Sequence, residues 1–176
     1  MKIIPLALAL AITSAAFAQE PMERVFTMPS ALELHGVAVD AEGHFVLASE
    51  NEGNIQVTRI SPTGDHDWTF KYPYFVEEGL YGNSIAAGPD GIVVVGFAMG
   101  TGTNSRDGII LRIDLEGTLQ SAQRMDAGGS NALHTLTATS DGFIAGGRTD
   151  AGGNQYDMQL TKLNTLGEVQ WSRYYG

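Results

Sequence analysis

At 176 residues, with 20 Asp+Glu against 10 Lys+Arg, the chain carries a formal net charge of −10 and no cysteine. The acidic balance excludes nucleic acid as a partner, because phosphate tracking needs a cationic face. The missing thiol excludes disulfide staples, Cys-ligated zinc, thiol catalysis and lipidation at a cysteine. An acidic surface keeps an exported protein soluble and is compatible with cation binding.

Residues 1–18 read as a signal peptide: Lys2 supplies the positive start, Ile3 to Ile12 the apolar centre, and Ala16-Phe17-Ala18 a small-x-small cleavage site. The mature chain then starts at Gln19 and is exported to the periplasm or the extracellular space. The apolar run is shorter than the roughly 20 residues a helical membrane span needs, and no later stretch is apolar enough to replace it. Residues 19–34 hold one expected strand around Val25, Phe26 and Met28, closed by Pro29, and a linker.

From residue 35 onward the pattern repeats. In 35–80, strands are expected at His35–Val39, His44–Ser49, Ile55–Ile60 and Trp68–Tyr72, with turns ending at Gly43 and Gly64. In 81–130 they fall at Ser84–Ala86, Ile92–Phe97, Gly108–Ile113 and Thr118–Arg124, with turns ending at Gly91 and Gly117. In 131–176 they fall at Thr135–Ala138, Phe143–Gly147, Met158–Leu163 and Val169–Tyr174, with turns ending at Gly142 and Gly167. Gly64, Gly117 and Gly167 recur about every 50 residues, the period of an all-β blade array. Each follows Ile60, Ile113 or Leu163 by four positions, with Arg59, Arg112 or Lys162 just before. Gly suits the last place in such turns because a left-handed backbone costs it nothing. No window of helical length keeps a 3.6-residue period. The expectation is therefore an all-β, β-propeller-like array: three four-stranded antiparallel blades plus one N-terminal strand, forming an incomplete ring.

The segments Arg59 to Trp68 (RISPTGDHDW) and Leu163 to Trp171 (LNTLGEVQW) resemble the tryptophan-docking motif of PQQ-type β-propeller repeats. The third copy as a whole is similar to secreted bacterial propeller repeats. The resemblance implies that Trp68 and Trp171, four residues after Gly64 and Gly167, pack against a neighbouring blade. The second copy has Ser121 after Gly117 instead, so one docking contact must be replaced or absent. The vicinal cysteine pair of a quinoprotein dehydrogenase is impossible here.

Propellers close with roughly four to eight blades, and three are present. Two explanations stand: a chain that is the front part of a longer protein with further blades, or two copies closing one ring.

Three groups of residues are candidate sites. His35, Asn83 and His134 occupy the same place at the start of the first strand in each copy, the strand that lines a propeller's channel. Imidazoles there suit a metal or polar ligand, or a hydrogen bond bracing one blade to the next. The loops Glu50–Asn54, Met99–Asp107 and Thr149–Asp157 vary in length on a fixed scaffold, which is where binding commonly sits. In the last of these Asp150, Asn154 and Asp157 form an oxygen-rich set compatible with Ca²⁺, or with Asx turns capping a hairpin. Asp65-His66-Asp67 and Glu77-Glu78 read as solvated turns, since paired carboxylates need an enclosing pocket to separate their pKa values. No nucleophile elbow, zincin motif or phosphate loop is present, so no catalytic residue and no cofactor is expected. The function expected is a binding or scaffolding module with a protein or glycan ligand. The rival reading is the front part of a secreted propeller enzyme, quinoprotein-like or lyase-type, with its catalytic residues in other blades.

Overall fold

Short β-branched runs between glycine-bearing turns have one stable solution, an antiparallel meander, and the chain adopts it three times. The computed structural model describes residues 33–73, 79–99, 106–125, 129–150 and 155–176. The leader, the strand expected at Val25–Met28, Glu77-Glu78 and Asn154 lie outside that range. Blade 1 holds β1 (Glu33–Val39), β2 (Phe45–Asn51), β3 (Asn54–Ile60) and β4 (His66–Tyr72). Blade 2 holds β5 (Leu80–Gly88), β6 (Gly91–Met99), β7 (Arg106–Ile113) and β8 (Leu119–Met125). Blade 3 holds β9 (Asn131–Thr139), β10 (Gly142–Thr149), β11 (Asp157–Leu163) and β12 (Val169–Tyr175). Each sheet is antiparallel with its strands side by side in chain order. There is no helix among the described residues, hence none long and apolar enough to cross a membrane.

The first strands of blades 2 and 3 are longer than the sequence predicts: β5 reaches from Leu80 to Gly88, where only Ser84–Ala86 read as strand. β1 likewise starts at Glu33, inside the predicted linker. Gly82 and Asn83 are poor strand formers taken alone, but β5 packs against both β1 and β9, and tertiary packing overrides weak strand propensity. With the first strands in contact and the sheets fanning outward, the three blades form a propeller-like arc.

Two cores fill the gaps between blades. Val46, Ala48, Ile55 and Val57 of blade 1 meet Ile92, Val94, Ile109, Leu111 and Ile113 of blade 2. On the opposite face Val93, Val95 and Ile110 meet Leu133, Phe143, Ala145 and Leu163 of blade 3. Strand β6 is therefore buried on both sides. That explains why residues 92–97 read as a continuous apolar run rather than an alternation. Each such Val or Ile contributes about 1.5–3 kcal/mol by leaving water.

Glycine turns lock the blades in register. The Asp114–Gly117 turn is closed by Gly117 N–H donating to Asp114 O (3.1 Å), and Thr118 N–H donates to Asp114 Oδ1 (2.7 Å). Ser61 and Asn164 begin their turns in the same way, accepting through the side chain from Asp65 N–H (3.0 Å) and Glu168 N–H (2.9 Å). Trp68 Nε1 of blade 1 donates to Leu115 O (3.0 Å), and the buried Tyr72 hydroxyl donates to Gly117 O (2.7 Å). The Phe70 ring lies where a Gly117 side chain would stand: a Cβ would come within 2.4 Å of it. Blade 2, with Ser121 in place of the tryptophan, keeps the bond to the turn glycine in another form: Gln123 Nε2 donates to Gly167 O (3.2 Å), as the Tyr72 hydroxyl does to Gly117 O. Trp171, expected to pack on a neighbour, is 38% exposed instead, and no described segment covers that face of blade 3.

The basic residue before each outer turn pins the inner turn of its own blade. Arg59 bonds Asp40 Oδ2 (2.8 Å) and Glu42 Oε2 (2.6 Å), Arg112 reaches Asp90 O (3.2 Å), and Lys162 bonds Asp141 (2.7 Å). Asp67 is no isolated turn residue either, lying 3.3 Å from His44 Nε2 and 3.6 Å from Arg59. Burial alone would raise the Asp40 carboxyl, but the His44 N–H, the Arg59 guanidinium and the Glu42 N–H more than offset it and hold its pKa below the usual value. The stabilisation from this depressed pKa is present above the unfolded carboxylate's pKa and fades as pH falls through the folded one.

Gly117 has both a positive φ of 87° and an occupied Cβ site, whereas at Gly53, with a φ of 73°, a Cβ would meet only Gly79 Cα at an ordinary 3.6 Å. Gly117→Ala is expected to cost about 2–4 kcal/mol in urea denaturation against about 1 kcal/mol for Gly53→Ala. Equal costs would mean that the ring-on-turn contact does not constrain the blades.

Candidate binding site on the first strands

The three residues singled out at the start of the first strands share one structural peculiarity. In blade 1 the ladder passes from Leu34↔Ser49 to Gly36↔Ala48 and skips His35. In blade 2 it passes from Gly82↔Gly96 to Ser84↔Val95 and skips Asn83. In blade 3 it passes from Thr135↔Gly146 to Leu133↔Gly147 and skips His134. Each is thus the extra residue of a β-bulge, a device that takes a side chain out of the pleat and re-aims it. Opposite the bulges of blades 2 and 3 stand Gly96 and Gly147, where a Cβ would run into Tyr81 O and Ala132 O. Only glycine lets the backbones approach so closely there.

Two of the three come together. Asn83 Nδ2 lies 2.6 Å from Leu133 O, to which it donates, and 3.4 Å from His134 Nδ1. Ser84 Oγ accepts from Leu136 N–H (3.1 Å) across the same seam. Asn83 is therefore a brace between blades 2 and 3 as well as a neighbour of the imidazole. His35 stands apart from this pair, with Glu33 4.0 Å away.

Sequence reasoning missed the charges around His134. Partial desolvation, then the nearby Arg148 and Arg106 guanidiniums, hold its pKa below the ordinary imidazole value. Arg106 lies over the Phe97 ring (4.6 Å), which stacks on Tyr81 (4.8 Å). Arg148 lies over the exposed Tyr156 ring (4.4 Å). Neither guanidinium has a carboxylate partner among the described residues, in a chain where acids outnumber bases two to one. Their sequence signal was faint, a single Arg at the edge of two of the three variable loops.

The oxygen-rich loop is only partly within view. Asp150 Oδ1 accepts from the Ser130 N–H, and the Asp150 N–H donates to Ser130 O (2.9 Å), so this carboxylate braces the turn into β9. Asp157 begins β11, opposite Thr149. Asn154 lies outside the described residues. No group of three His, Asp or Glu among the described residues is placed to hold a metal ion. Asn131 Nδ2 and Thr149 Oγ1, opposite each other in β9 and β10, are buried without a hydrogen-bond partner.

The chain matches no family model and no curated protein. Among solved structures it is similar to a protein of unknown function from Bacteroides caccae, at 13% identity and a TM-score of 0.46. The match covers 84% of this chain and 63% of that one, so this chain spans less than two thirds of that protein's length.

A folded-state pKa below the unfolded 6.5 means that the unfolded chain takes up the proton first as pH falls. The His134 contribution to stability is therefore full above that value and declines as pH drops towards the folded pKa. An NMR titration should place the His134 midpoint below 6.5, and His134→Gln should flatten this part of the stability–pH curve. A midpoint at or above the unfolded value would overturn the combined effect of burial and the two guanidiniums.

Proposed function

We propose that the protein is an exported propeller-type binding module, and that its ligand carries carboxylate groups. The observation that supports this reading most is the pair of guanidiniums, Arg106 and Arg148, that flank His134 without carboxylate partners among the described residues. A guanidinium stacked on an aromatic face keeps its planar fork free to take a carboxylate through two parallel hydrogen bonds. In its neutral form the His134 imidazole offers one N–H donor and one acceptor, and Asn83 and Asn131 lie on β5 and β9. Bulges on rigid inner strands hold such groups with less freedom than loops would. The export signal and the kinship with PQQ-type repeats belong to the same proposal. The leader sequence supports the first, and the seating of Trp68 on the Gly117 turn supports the second.

Acidic sugars fit this chemistry, because the exposed Tyr156 ring offers a flat face beside the Arg148 charge. Calorimetry with tri-galacturonate, with glutarate as a non-sugar probe and the neutral galactose trimer as control, tests the reading. Binding of either acid is expected to weaken about tenfold or more for Arg106→Gln and for Arg148→Gln, to weaken with added salt, and to raise the His134 titration midpoint. Equal binding of the neutral trimer, or acid binding that neither substitution affects, would sink the proposal.

A further inference from the structure

One patch of the seam between blades 2 and 3 is polar where the seam between blades 1 and 2 is apolar. Asn131, Thr149 and Gln159 are the register equivalents of Leu80, Ala98 and Ile109. Asn131 pairs with Thr149 as Leu80 does with Ala98, and Gln159 with Gly147 as Ile109 does with Gly96. All three polar residues are inside, Asn131 at 1% exposure and the other two at 0%. Each keeps one polar atom (Asn131 Nδ2, Thr149 Oγ1, Gln159 Oε1) with no hydrogen-bond partner among the described residues. Such atoms are costly to leave unpaired, and native proteins pair nearly all of them with protein or ordered water. Turning the amides over does not help. Asn131 Oδ1 accepts from Gly108 N–H (2.5 Å), so a reversed amide would set two donors against each other. Gln159 Nε2 bonds Thr161 Oγ1 (3.3 Å), and reversal only exchanges which atom is left over.

Blade 1 shows what this place accommodates, because it carries the same polar run. Gln56 is equivalent to Gln159 and Thr58 to Thr161. The Thr58–Thr69 hydroxyl pair (3.0 Å) likewise matches Thr161–Ser172 (2.9 Å). Gln56 pairs with Ser49, and Asn51 two places further on donates from Nδ2 to Gln56 Oε1 (3.0 Å). Thr149 holds the position of Asn51 relative to Gln159. Its hydroxyl, however, stands one bond nearer the backbone than an asparagine amide nitrogen, and it makes no bond to Gln159 Oε1.

We infer that blade 3 binds a buried water molecule at this seam, in the place that the Asn51 amide nitrogen takes in blade 1. The water donates to Gln159 Oε1, shares a hydrogen bond with Thr149 Oγ1 and accepts from Asn131 Nδ2. About three partners is the usual complement of a buried water. The site is made for water and not for a cation: it offers no carboxylate or imidazole, and one of its three atoms is an N–H donor. Once bound, the water joins the run Ser172–Thr161–Gln159 to Asn131 and so to the Gly108 N–H of blade 2. Hydrogen bonds then pass without a break from the outer strand β12 to the neighbouring blade. This site is independent of the ligand proposed for the first strands.

A high-resolution crystal structure of the unsubstituted protein and oxygen-17 relaxation dispersion, which counts waters held longer than the protein takes to tumble, test the site. The crystal structure is expected to show a water within about 2.7–3.2 Å of Thr149 Oγ1, Gln159 Oε1 and Asn131 Nδ2. Thr149→Asn should put a side-chain nitrogen in the water's place, as Asn51 does against Gln56. The count of long-lived waters should then fall by one, with no loss in the urea midpoint. Thr137→Asn, at an exposed position on the same blade, should leave the count unchanged. A protein atom in the water's place, an unchanged count in Thr149→Asn, or the same fall in Thr137→Asn would each overturn the inference. Should Thr149→Asn fail to fold, the crystal structure of the unsubstituted protein decides by itself.

Discussion

A glycine turn held between the aromatic side chains of the preceding blade is the contact on which the arrangement depends. A four-stranded sheet pairs the backbone of its inner strands but leaves two broad faces bare, and no blade here can bury its own. Trp68, Phe70 and Tyr72 solve this by closing over the Gly117 turn, with two of them bonding its carbonyls. The turn must be glycine because the left-handed backbone and the ring occupy the space a side chain would need. Once that contact is fixed, the apolar residues of β2 and β3 lie against those of β6 and β7. Blade 2 shows how far the scheme can bend: with Ser121 in the tryptophan's place, Gln123 bonds the next turn's carbonyl and the Arg112 stem packs beside it. Common to both seams is a side-chain donor aimed at the carbonyl of the turn glycine.

The same rigidity gives the first strands their use. They pack edge-on against one another, so a residue forced out of the ladder at that place is presented at the narrow end of the arc. Three blades carry one bulged residue each at the same height, and the blades differ in what they put there: His35, Asn83 and His134. Asn83 serves as a brace, since its amide reaches the Leu133 carbonyl. Partial burial, then the charges of Arg148 and Arg106, disfavour the protonated form of His134. A repeat thus supplies identical positions, and differences among the residues placed there make a site.

Repetition could be read directly from the amino acids. The period of Gly64, Gly117 and Gly167, the basic residue before each turn, and the alternation of apolar positions are local properties, and they determined twelve strands, their order and their antiparallel pairing. The candidate positions His35, Asn83 and His134 were legible for the same reason, as places counted from a turn glycine. Their role was not, because a bulge is defined by the partner strand, and one skipped residue leaves no mark in the chain itself. Nor could composition show that Arg106 and Arg148, far apart in sequence, stand near one imidazole. Folding decided this, since only the packing of β7, β9 and β10 brings both charges within range of His134. Trp68 and Trp171 make the same point: the motif around them is nearly identical, yet one is docked and the other exposed. The sequence determines the side chain, and the presence or absence of a neighbouring blade determines whether water or a turn carbonyl meets it.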